Sequence, residues 1–203
     1  MTILQIVTFT ASSNYIADPT VVKVALDNLG SAEGCVSSFH GLQIDDGKTV
    51  YVFSFWESEP QYQSFAGGPE NPTFLAGLKA ASANSPEVHY LDTGAIDLTA
   101  AFSAPVTEFV LWTINADVEP QEAELVKGFD DLIAGLDVAT GVHPPGLWAY
   151  CKDNTKNVVV IAGWNTVDTH WEAVKEGTGL HATVQLLLKK ATLVLGHVKL
   201  LKQ

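Results

Sequence analysis

The stretch Lys48–Ser58, KTVYVFSFWES, recurs 108 positions later as Lys156–Thr166, KNVVVIAGWNT. In each copy an apolar run ends on a tryptophan and is followed by a polar segment. The same offset places His89 on His197 without a gap. A long internal period is typical of a structural unit that occurs more than once in a chain. The sequence therefore predicts a duplicated unit, each copy being about half of the 203 residues.

The offset is shorter near the start of each copy. There Ile6–Thr10 meets Phe109–Thr113 at an offset of 103. The second copy has therefore gained five residues between its first and third strands. The pattern of apolar positions nevertheless agrees between the two copies, which favours a shared fold.

Both copies show the order βαββαβ, because segments with strand-like alternation are separated by segments with helical periodicity. The first copy contains the predicted elements Ile3–Thr10, Pro19–Leu29, Val36–Ile44, Thr49–Phe55, Glu59–Ala83 and Glu87–Leu91. The second contains Val106–Ile114, Pro120–Leu136, Thr140–Cys151, Asn157–Gly163, Val167–Lys190 and Thr192–Leu200. We expect the units to cover residues 1–91 and 106–203, with a linker of small residues at 92–105.

A βαββαβ unit forms a four-stranded antiparallel sheet with both helices on one face. The strands are apolar on both faces, since Val7 and Phe9 alternate with Ile6 in the first strand. The face without helices therefore needs a cover, and the sheet of the other copy can supply it. The sequence predicts an α+β fold in which two ferredoxin-like βαββαβ units pack sheet to sheet as one intrachain α+β barrel. Association of whole barrels into a homodimer stays open.

Composition and charge exclude several partners. The chain has 11 basic and 23 acidic residues, a net charge of -12. Such a chain repels phosphate backbones and anionic lipids, so we expect no nucleic acid and no membrane as partner. No apolar run reaches the ~20 residues that span a bilayer, and residues 1–9 do not have the pattern of a signal peptide. With only Cys35 and Cys151 and no Cys-x-x-Cys pair, a cytoplasmic protein is expected.

Motifs for common cofactors are missing from the sequence. No histidine pair has the spacing of a zinc site, and no Walker A loop or Gly-x-Gly-x-x-Gly segment occurs. No Gly-x-Ser-x-Gly elbow occurs either. We therefore expect no metal and no bound cofactor.

The end of the third strand carries a resemblance to a known superfamily. In the second copy Trp164–Asp168 (WNTVD) is followed by His181, and in the first copy Trp56–Glu59 (WESE) is followed by Thr73 at the matching position. This arrangement resembles the dimeric α+β barrel superfamily, especially its antibiotic-biosynthesis-monooxygenase-like and stress-responsive A/B-barrel families, as a tandem two-unit fusion. The resemblance covers nearly the whole chain. It implies a ligand cavity inside each unit, between the sheet and the helices.

The resemblance leaves several functions open. The leading hypothesis is a barrel that binds a hydrophobic aromatic or polyketide-like molecule and acts on it as a cofactor-independent monooxygenase or cyclase. One alternative is a haem-binding or haem-degrading protein, because haem-degrading members have a Trp and a His ten residues apart, as Trp171 and His181 are. Asn115 loosely matches the asparagine of those members. The other alternative is a non-catalytic stress-response or interaction protein, so catalysis itself is not decided by the sequence.

Candidate site residues concentrate in the second copy, which holds four of the five tryptophans. His181 is the candidate general base or axial ligand, since a neutral imidazole removes protons near physiological pH. Asn115 and Tyr150 are the candidate hydrogen-bonding partners of the oxygen that becomes charged. The candidate aromatic cage for a flat ligand consists of Trp112, Trp148, Trp164 and Trp171.

Two further expectations concern the other histidines. His170 is expected on the exposed start of a helix, at the position that Tyr62 occupies in the first copy. His89 and His197 are expected at equivalent places on the last strands, where a repeated residue favours shared packing. Since Thr73 replaces His181 in the first copy, we expect an active or binding site in the second copy alone.

Overall fold

The structure is a computed structural model that describes residues 2–203. The described chain divides into a first unit of residues 2–95 with 200–203, and a second unit of residues 96–199. In the first unit the strands are β1 (Ile3–Thr10), β2 (Cys35–Leu42), β3 (Thr49–Trp56) and β4 (Glu87–Asp92). Its helices are α1 (Ser13–Ala17), α2 (Lys23–Ser31), α3 (Glu59–Gly67) and α4 (Glu70–Leu78), with a short 3-10 turn at Pro19–Val22.

The second unit repeats the order of strands, with one helix between its first two strands and an additional helix, α5 (Thr99–Ser103), at its start. Its strands are β5 (Val106–Ile114), β6 (Val142–Tyr150), β7 (Asn157–Trp164) and β8 (Ala191–Val198). Its other helices are α6 (Ala123–Leu136), α7 (Val167–Ala173) and α8 (Gly179–Leu187). The final strand β9 (Leu201–Lys202) pairs with β2 and so belongs to the first unit. The predicted α+β class with two ferredoxin-like units is confirmed.

Strand registers confirm the repeat and both of its offsets. Both sheets are antiparallel, with strand order β4-β1-β3-β2-β9 in the first unit and β6-β7-β5-β8 in the second. Ile3 lies opposite Trp56 in the first sheet, and Val106 lies opposite Trp164 in the second. The central pair of strands therefore has the same register in both units, at offsets of 103 for one strand and 108 for the other.

The expected equivalence of His89 and His197 is wrong by one residue. His89 lies opposite Ile6, whereas His197 lies opposite Glu108, which corresponds to Gln5. Since side chains alternate between the two faces of a strand, a shift of one residue turns the side chain to the opposite face. The residue of the first unit that corresponds to His197 is Tyr90, opposite Gln5.

In each unit the helices cover one face of the sheet with an apolar core. Helix α6 shows why: Leu125, Phe129, Leu132 and Leu136 recur every three to four residues and are all buried. This spacing forms a single apolar stripe along a helix, which packs on the apolar side chains of the sheet. The core of the second unit combines that stripe with alternate residues of β5 and β7.

The segment predicted as a linker contains the short helix α5, which packs on β6 and β7 of the second unit. The Thr107 hydroxyl donates to the carbonyl of Ala101 at 2.8 Å and so ties α5 to β5. Within residues 2–203, no helix has the length and apolar character needed to cross a membrane.

Candidate active site in the second unit

A cavity of about 260 Å³ lies in the second unit, where residues of β5, β7 and β8 meet residues of α6, α7 and α8. Most of its wall is aliphatic: Val110, Leu132, Leu136, Val160, Val174, Val184, Leu193 and Leu195. The other wall residues are two tryptophans, two histidines, one glutamate and one glutamine. A predominantly apolar cavity with a few polar groups is typical of a small-molecule site.

His181 lies on this wall, in the first turn of α8. Thr178 caps the helix by accepting from the His181 backbone N–H at 3.1 Å. The imidazole Nδ1 lies 3.2 Å from the carbonyl oxygen of Val174. A carbonyl oxygen only accepts, so Nδ1 is the protonated nitrogen and Nε2 of the neutral ring has the lone pair. His181 is therefore held in the tautomer that can act as a base through Nε2.

Trp112 forms part of the same wall and is only 2% exposed. Its ring packs edge-on against Phe129, with centroids 5.7 Å apart. The indole Nε1 is buried, and no residue of the described chain accepts its hydrogen bond. Leaving a buried donor unpaired costs about 1–3 kcal/mol. An acceptor oxygen on a bound molecule would remove this cost.

Trp171 forms the rim of the cavity. It lines the cavity but is 49% exposed. Its ring lies 4.6 Å from that of His170 and 5.6 Å from that of His197, measured between centroids. Trp171 therefore covers these two histidines on the solvent side and offers an aromatic surface at the entrance.

Three buried ionisable residues, Glu108, His170 and His197, lie in a row beside the cavity, and we refer to them as the buried triad. His170 Nε2 lies 3.3 Å from Glu108 Oε1, and His170 Nδ1 lies 2.9 Å from His197 Nε2. Glu108 and His170 also line the cavity. Trp164 donates its indole N–H to Glu108 Oε2 at 2.7 Å. Burial raises the pKa of Glu108 to about 7, and the Trp164 hydrogen bond offsets part of this rise.

Three elements and a capping motif bring the triad together. Glu108 and His197 are cross-strand neighbours on β5 and β8. Thr166 caps α7 through a capping box with Thr169, which fixes the start of the helix just after Trp164. His170 lies one turn into that helix, and its ring packs against the Trp164 ring at 5.3 Å. The segment Trp164-Asn165-Thr166 therefore positions the histidine above the glutamate.

The structure brings only some of the predicted site residues together. His181, Trp112 and Trp171 share the cavity wall, and Trp164 contacts Glu108 from outside that wall. Asn115 lies past the end of β5, and its amide donates to the carbonyl of Lys189 at 3.5 Å. It takes no part in the cavity wall, so the loose match to haem-degrading members gains no support from its position.

Tyr150 and Trp148 also lie outside the cavity wall. The Tyr150 hydroxyl donates to the carbonyl of Pro120. The Trp148 indole N–H donates to Asp130 at 2.9 Å, and its ring stacks on Phe129 at 5.3 Å. Both side chains thus have partners around α6 and stabilise the packing of that helix.

The buried triad escaped the analysis of the sequence, and the expected exposure of His170 is wrong. His170 is 2% exposed because its polar atoms meet Glu108 and His197 instead of water. A signal was present: Glu108 is the one charged residue of the strand Val106–Ile114, VTEFVLWTI. A charge within an apolar strand is rare in a core unless a partner neutralises it.

In the first unit, neutral side chains occupy the positions that correspond to the buried triad. Trp56 donates its indole N–H to the Ser54 hydroxyl at 3.0 Å, and that hydroxyl donates to Gln5 at 2.7 Å. Gln5 is the counterpart of Glu108, while Tyr62 and Tyr90 are the counterparts of His170 and His197. The two tyrosine rings pack at 4.6 Å. None of these side chains is a base near neutral pH.

Aromatic rings fill the helix-covered side of the first unit. Phe65 packs on Trp56 with centroids 4.8 Å apart, and Phe74 packs on Phe65 at 5.9 Å. Both phenylalanines are buried. In the second unit the position that corresponds to Phe65 is Ala173. A small side chain of the second unit therefore stands where a large ring packs on the tryptophan of the first.

Comparisons with known proteins identify the fold. No family model matches the sequence. No curated protein matches it either. Among solved structures, an anthrone oxidase-like protein is 13% identical with a TM-score of 0.73, over 100% of this chain and 92% of that chain. A candidate monooxygenase from Fusobacterium nucleatum is 11% identical with a TM-score of 0.69, over 98% and 92%. A candidate monooxygenase from Lactobacillus acidophilus is 11% identical with a TM-score of 0.63, over 99% and 93%.

Identities this low establish a common fold and leave the chemistry to the site itself. The likeness extends over nearly the whole chain in all three cases, so it includes both units. The chain therefore has the same fold as these three proteins, as two ferredoxin-like units in one polypeptide.

Proposed function

We propose that the second unit binds a flat, hydrophobic aromatic molecule with a phenolic or enolic oxygen and that His181 removes a proton from it without a bound cofactor. The observation that supports this most strongly is one apolar cavity whose wall includes a histidine and Trp112, a tryptophan whose buried indole N–H has no acceptor in the described chain. The base and the donor are the two groups that such a deprotonation needs.

Each group has one part in the reaction. His181 Nε2 accepts a proton from an O–H or an activated C–H of the bound molecule. The electron pair that remains is delocalised onto an oxygen, which accepts the hydrogen bond of Trp112 Nε1. The aliphatic wall keeps water away, and hydrogen bonds to a developing charge are stronger in such surroundings. Trp171 stacks against the molecule at the entrance.

The resulting carbanion or enolate can react in two ways without a cofactor. With dioxygen, a methylene group becomes a carbonyl: one oxygen atom enters the product, and the other leaves as water with the two methylene hydrogens. The electrons come from the substrate itself. With an internal carbonyl group, the same carbanion closes a ring. The likeness in fold to an anthrone oxidase-like protein and to candidate monooxygenases favours the first reaction.

An anthrone is a suitable probe, because it is flat and apolar and carries both an activated methylene and an oxygen. Its conversion to the quinone under air is followed by absorbance with wild type, His181→Ala and His143→Ala. His143 is the matched control: it belongs to the same unit but contacts Asn165 at 2.8 Å and does not line the cavity.

General base catalysis contributes about 10²–10⁴-fold. We therefore expect His181→Ala to lower kcat by about that factor, and His143→Ala to have wild-type activity. Equal rates in all three folded proteins would refute the role of His181. A rate that equals the spontaneous oxidation in wild type would refute the catalytic part of the proposal, and equilibrium binding of the probe would then decide the binding part.

A further inference from the structure

We propose that the buried triad of Glu108, His170 and His197 is a proton relay that holds one exchangeable proton beside the cavity and donates it to an oxygen of the molecule bound there. The relay is separate from His181, so the second unit would contain an acid as well as a base. The holding of the proton is a property of the protein alone, and only its transfer rests on the proposed function.

Hydrogen-bond chemistry connects the three residues. The indole N–H of Trp164 only donates, so Glu108 Oε2 is an acceptor, and a proton of the carboxyl group belongs on Oε1. Oε1 faces His170 Nε2 at 3.3 Å, and the other nitrogen of that ring faces His197 at 2.9 Å. An imidazole can accept a proton on one nitrogen while it releases another from the second. One proton can therefore lie at Glu108 or be passed toward His197.

The fold does not require this triad. Burial of a carboxyl group and two imidazoles is costly unless they are paired. In the first unit the corresponding positions around Trp56, the equivalent of Trp164, are occupied by the neutral residues Gln5, Ser54, Tyr62 and Tyr90. Two copies in one chain thus provide an internal comparison: neutral side chains are sufficient for packing. The ionisable set lies beside the cavity of the second unit, and two of its members line that cavity.

The electrostatics of the wall suit an exchangeable proton. The titratable groups there are Glu108 from β5, His170 from α7 and His181 from α8, with His197 of β8 in contact with His170. Burial raises the pKa of Glu108 to about 7, so the carboxyl gains and loses its proton near neutral pH. The best acid at pH 7 is one whose pKa is close to that pH.

The proton balance of the transfer is simple. The O–H bond of protonated Glu108 breaks, an O–H bond forms on the bound molecule, and Glu108 becomes a carboxylate. When the product leaves, the carboxylate takes up one proton from water, and its O–H again donates to His170 Nε2. Oxygenation needs such an acid when the second oxygen atom leaves as water. Without Glu108, the proton that His181 removes would be the one proton available in the cavity for the departing oxygen atom.

Infrared difference spectroscopy of the unliganded protein tests whether the proton is there. In wild type we expect the carbonyl stretch of a protonated carboxylic acid, lost on titration through about pH 7 and shifted by exchange into deuterium oxide. The band should be absent from Glu108→Gln and from Glu108→Gln with Ala162→Ser, which copies the neutral network of the first unit. It should remain in His181→Ala. A wild-type spectrum without this band at pH 6 would overturn the proposal.

Calorimetry of anthrone binding under argon, in two buffers of different ionisation enthalpy, tests the transfer. Wild type and Glu108→Gln should differ by about half a proton exchanged per molecule bound at pH 7, because Glu108 is half protonated there, and His170→Tyr, which copies Tyr62, should behave like Glu108→Gln. The same proton count in wild type and both variants would overturn the transfer. If the anthrone does not bind at all, the proposed function fails, while the infrared titration still decides whether the relay holds its proton.

Discussion

Trp164 donates its indole N–H to Glu108 Oε2 at 2.7 Å, whereas the equivalent Trp56 donates to the Ser54 hydroxyl at 3.0 Å. The donor and its place at the end of the third strand are the same in both units. Only the acceptor differs, from a neutral hydroxyl to an ionisable carboxyl group. Comparison of equivalent positions in the two units therefore distinguishes the residues that build the fold from those that can perform chemistry.

Replacement of Glu108 should change how stability depends on pH. The folded-state pKa of about 7 lies above the ordinary value of 4.5, so the folded protein binds more protons than the unfolded chain between these values. Stability contributed by the protonated group is therefore lost as pH rises through that window, by roughly 3 kcal/mol in total. Glu108→Gln retains an amide that can hydrogen-bond to both neighbours, and it should remove this loss.

The measurement is urea unfolding of wild type, Glu108→Gln and the exposed control Glu176→Gln at pH 5 and pH 8. We expect Glu108→Gln to be the more stable protein at pH 8 and to differ little from wild type at pH 5. The control Glu176→Gln should have the stability of wild type at both pH values. Parallel pH profiles for wild type and Glu108→Gln would show that Glu108 is ionised throughout and would contradict its raised pKa.

Trp112→Phe should weaken ligand binding while most of the ring packing remains. A hydrogen bond to a charged oxygen contributes about 1.5–3 kcal/mol, which corresponds to about ten- to a hundredfold in Kd. Trp148→Phe is the matched control, because Trp148 bonds to Asp130 and lies outside the cavity wall. Fluorescence titration with an anthrone under argon gives both affinities. Equal losses in the two variants would mean that the N–H of Trp112 has no specific role.

Gly163→Ala should destabilise the second unit. A methyl group at this position would lie 2.7 Å from the backbone Cα of Ala101 in α5, so the helix would have to move. Overpacking of this kind costs about 1–3 kcal/mol. Gly30→Ala is the control, since nothing lies within 4 Å of the added methyl and alanine is favoured in a helix by roughly 0.5–1 kcal/mol. If thermal unfolding shows Gly163→Ala to be as stable as wild type, α5 does not pack tightly on β7.

Haemin should not form a specific complex. Its propionates favour arginine partners, and the chain has none among its eleven basic residues. The cavity wall adds the carboxyl group of Glu108 and, within the described chain, no lysine. Titration with haemin should therefore give no sharp Soret band. A band that appears in wild type and disappears in His181→Ala would instead support the haem alternative.

The fold was largely predictable from the sequence because strand register and apolar alternation are local patterns. The offsets of 103 and 108 correspond to the observed pairing of β1 with β3 and of β5 with β7. The boundaries were less predictable: α5 forms within the expected linker, and residues 201–202 return to β2. Short helices and two-residue strands depend on contacts that are distant in sequence.

The site was predictable only in part. His181, Trp112 and Trp171 were identified from residue type and meet at one cavity. The buried triad was not identified, because its members lie on β5, α7 and β8, and their pairing depends on the exact register of β8. A one-residue error in aligning His197 turned it to the wrong face of the sheet. Tyr150 and Trp148 were also predicted to belong to the site, because the second copy is rich in aromatic residues. Their polar atoms instead form hydrogen bonds around α6.

The most direct test of the central claim is a crystal structure of the protein soaked with an anthrone under argon. The account predicts the ring system in the second unit, between Trp112 and Trp171, with its oxygen at hydrogen-bond distance from Trp112 Nε1 and an acidic hydrogen facing His181 Nε2. Electron density for the ligand only in the first unit would contradict it. So would an empty second-unit cavity in crystals at ligand concentrations that saturate binding in solution.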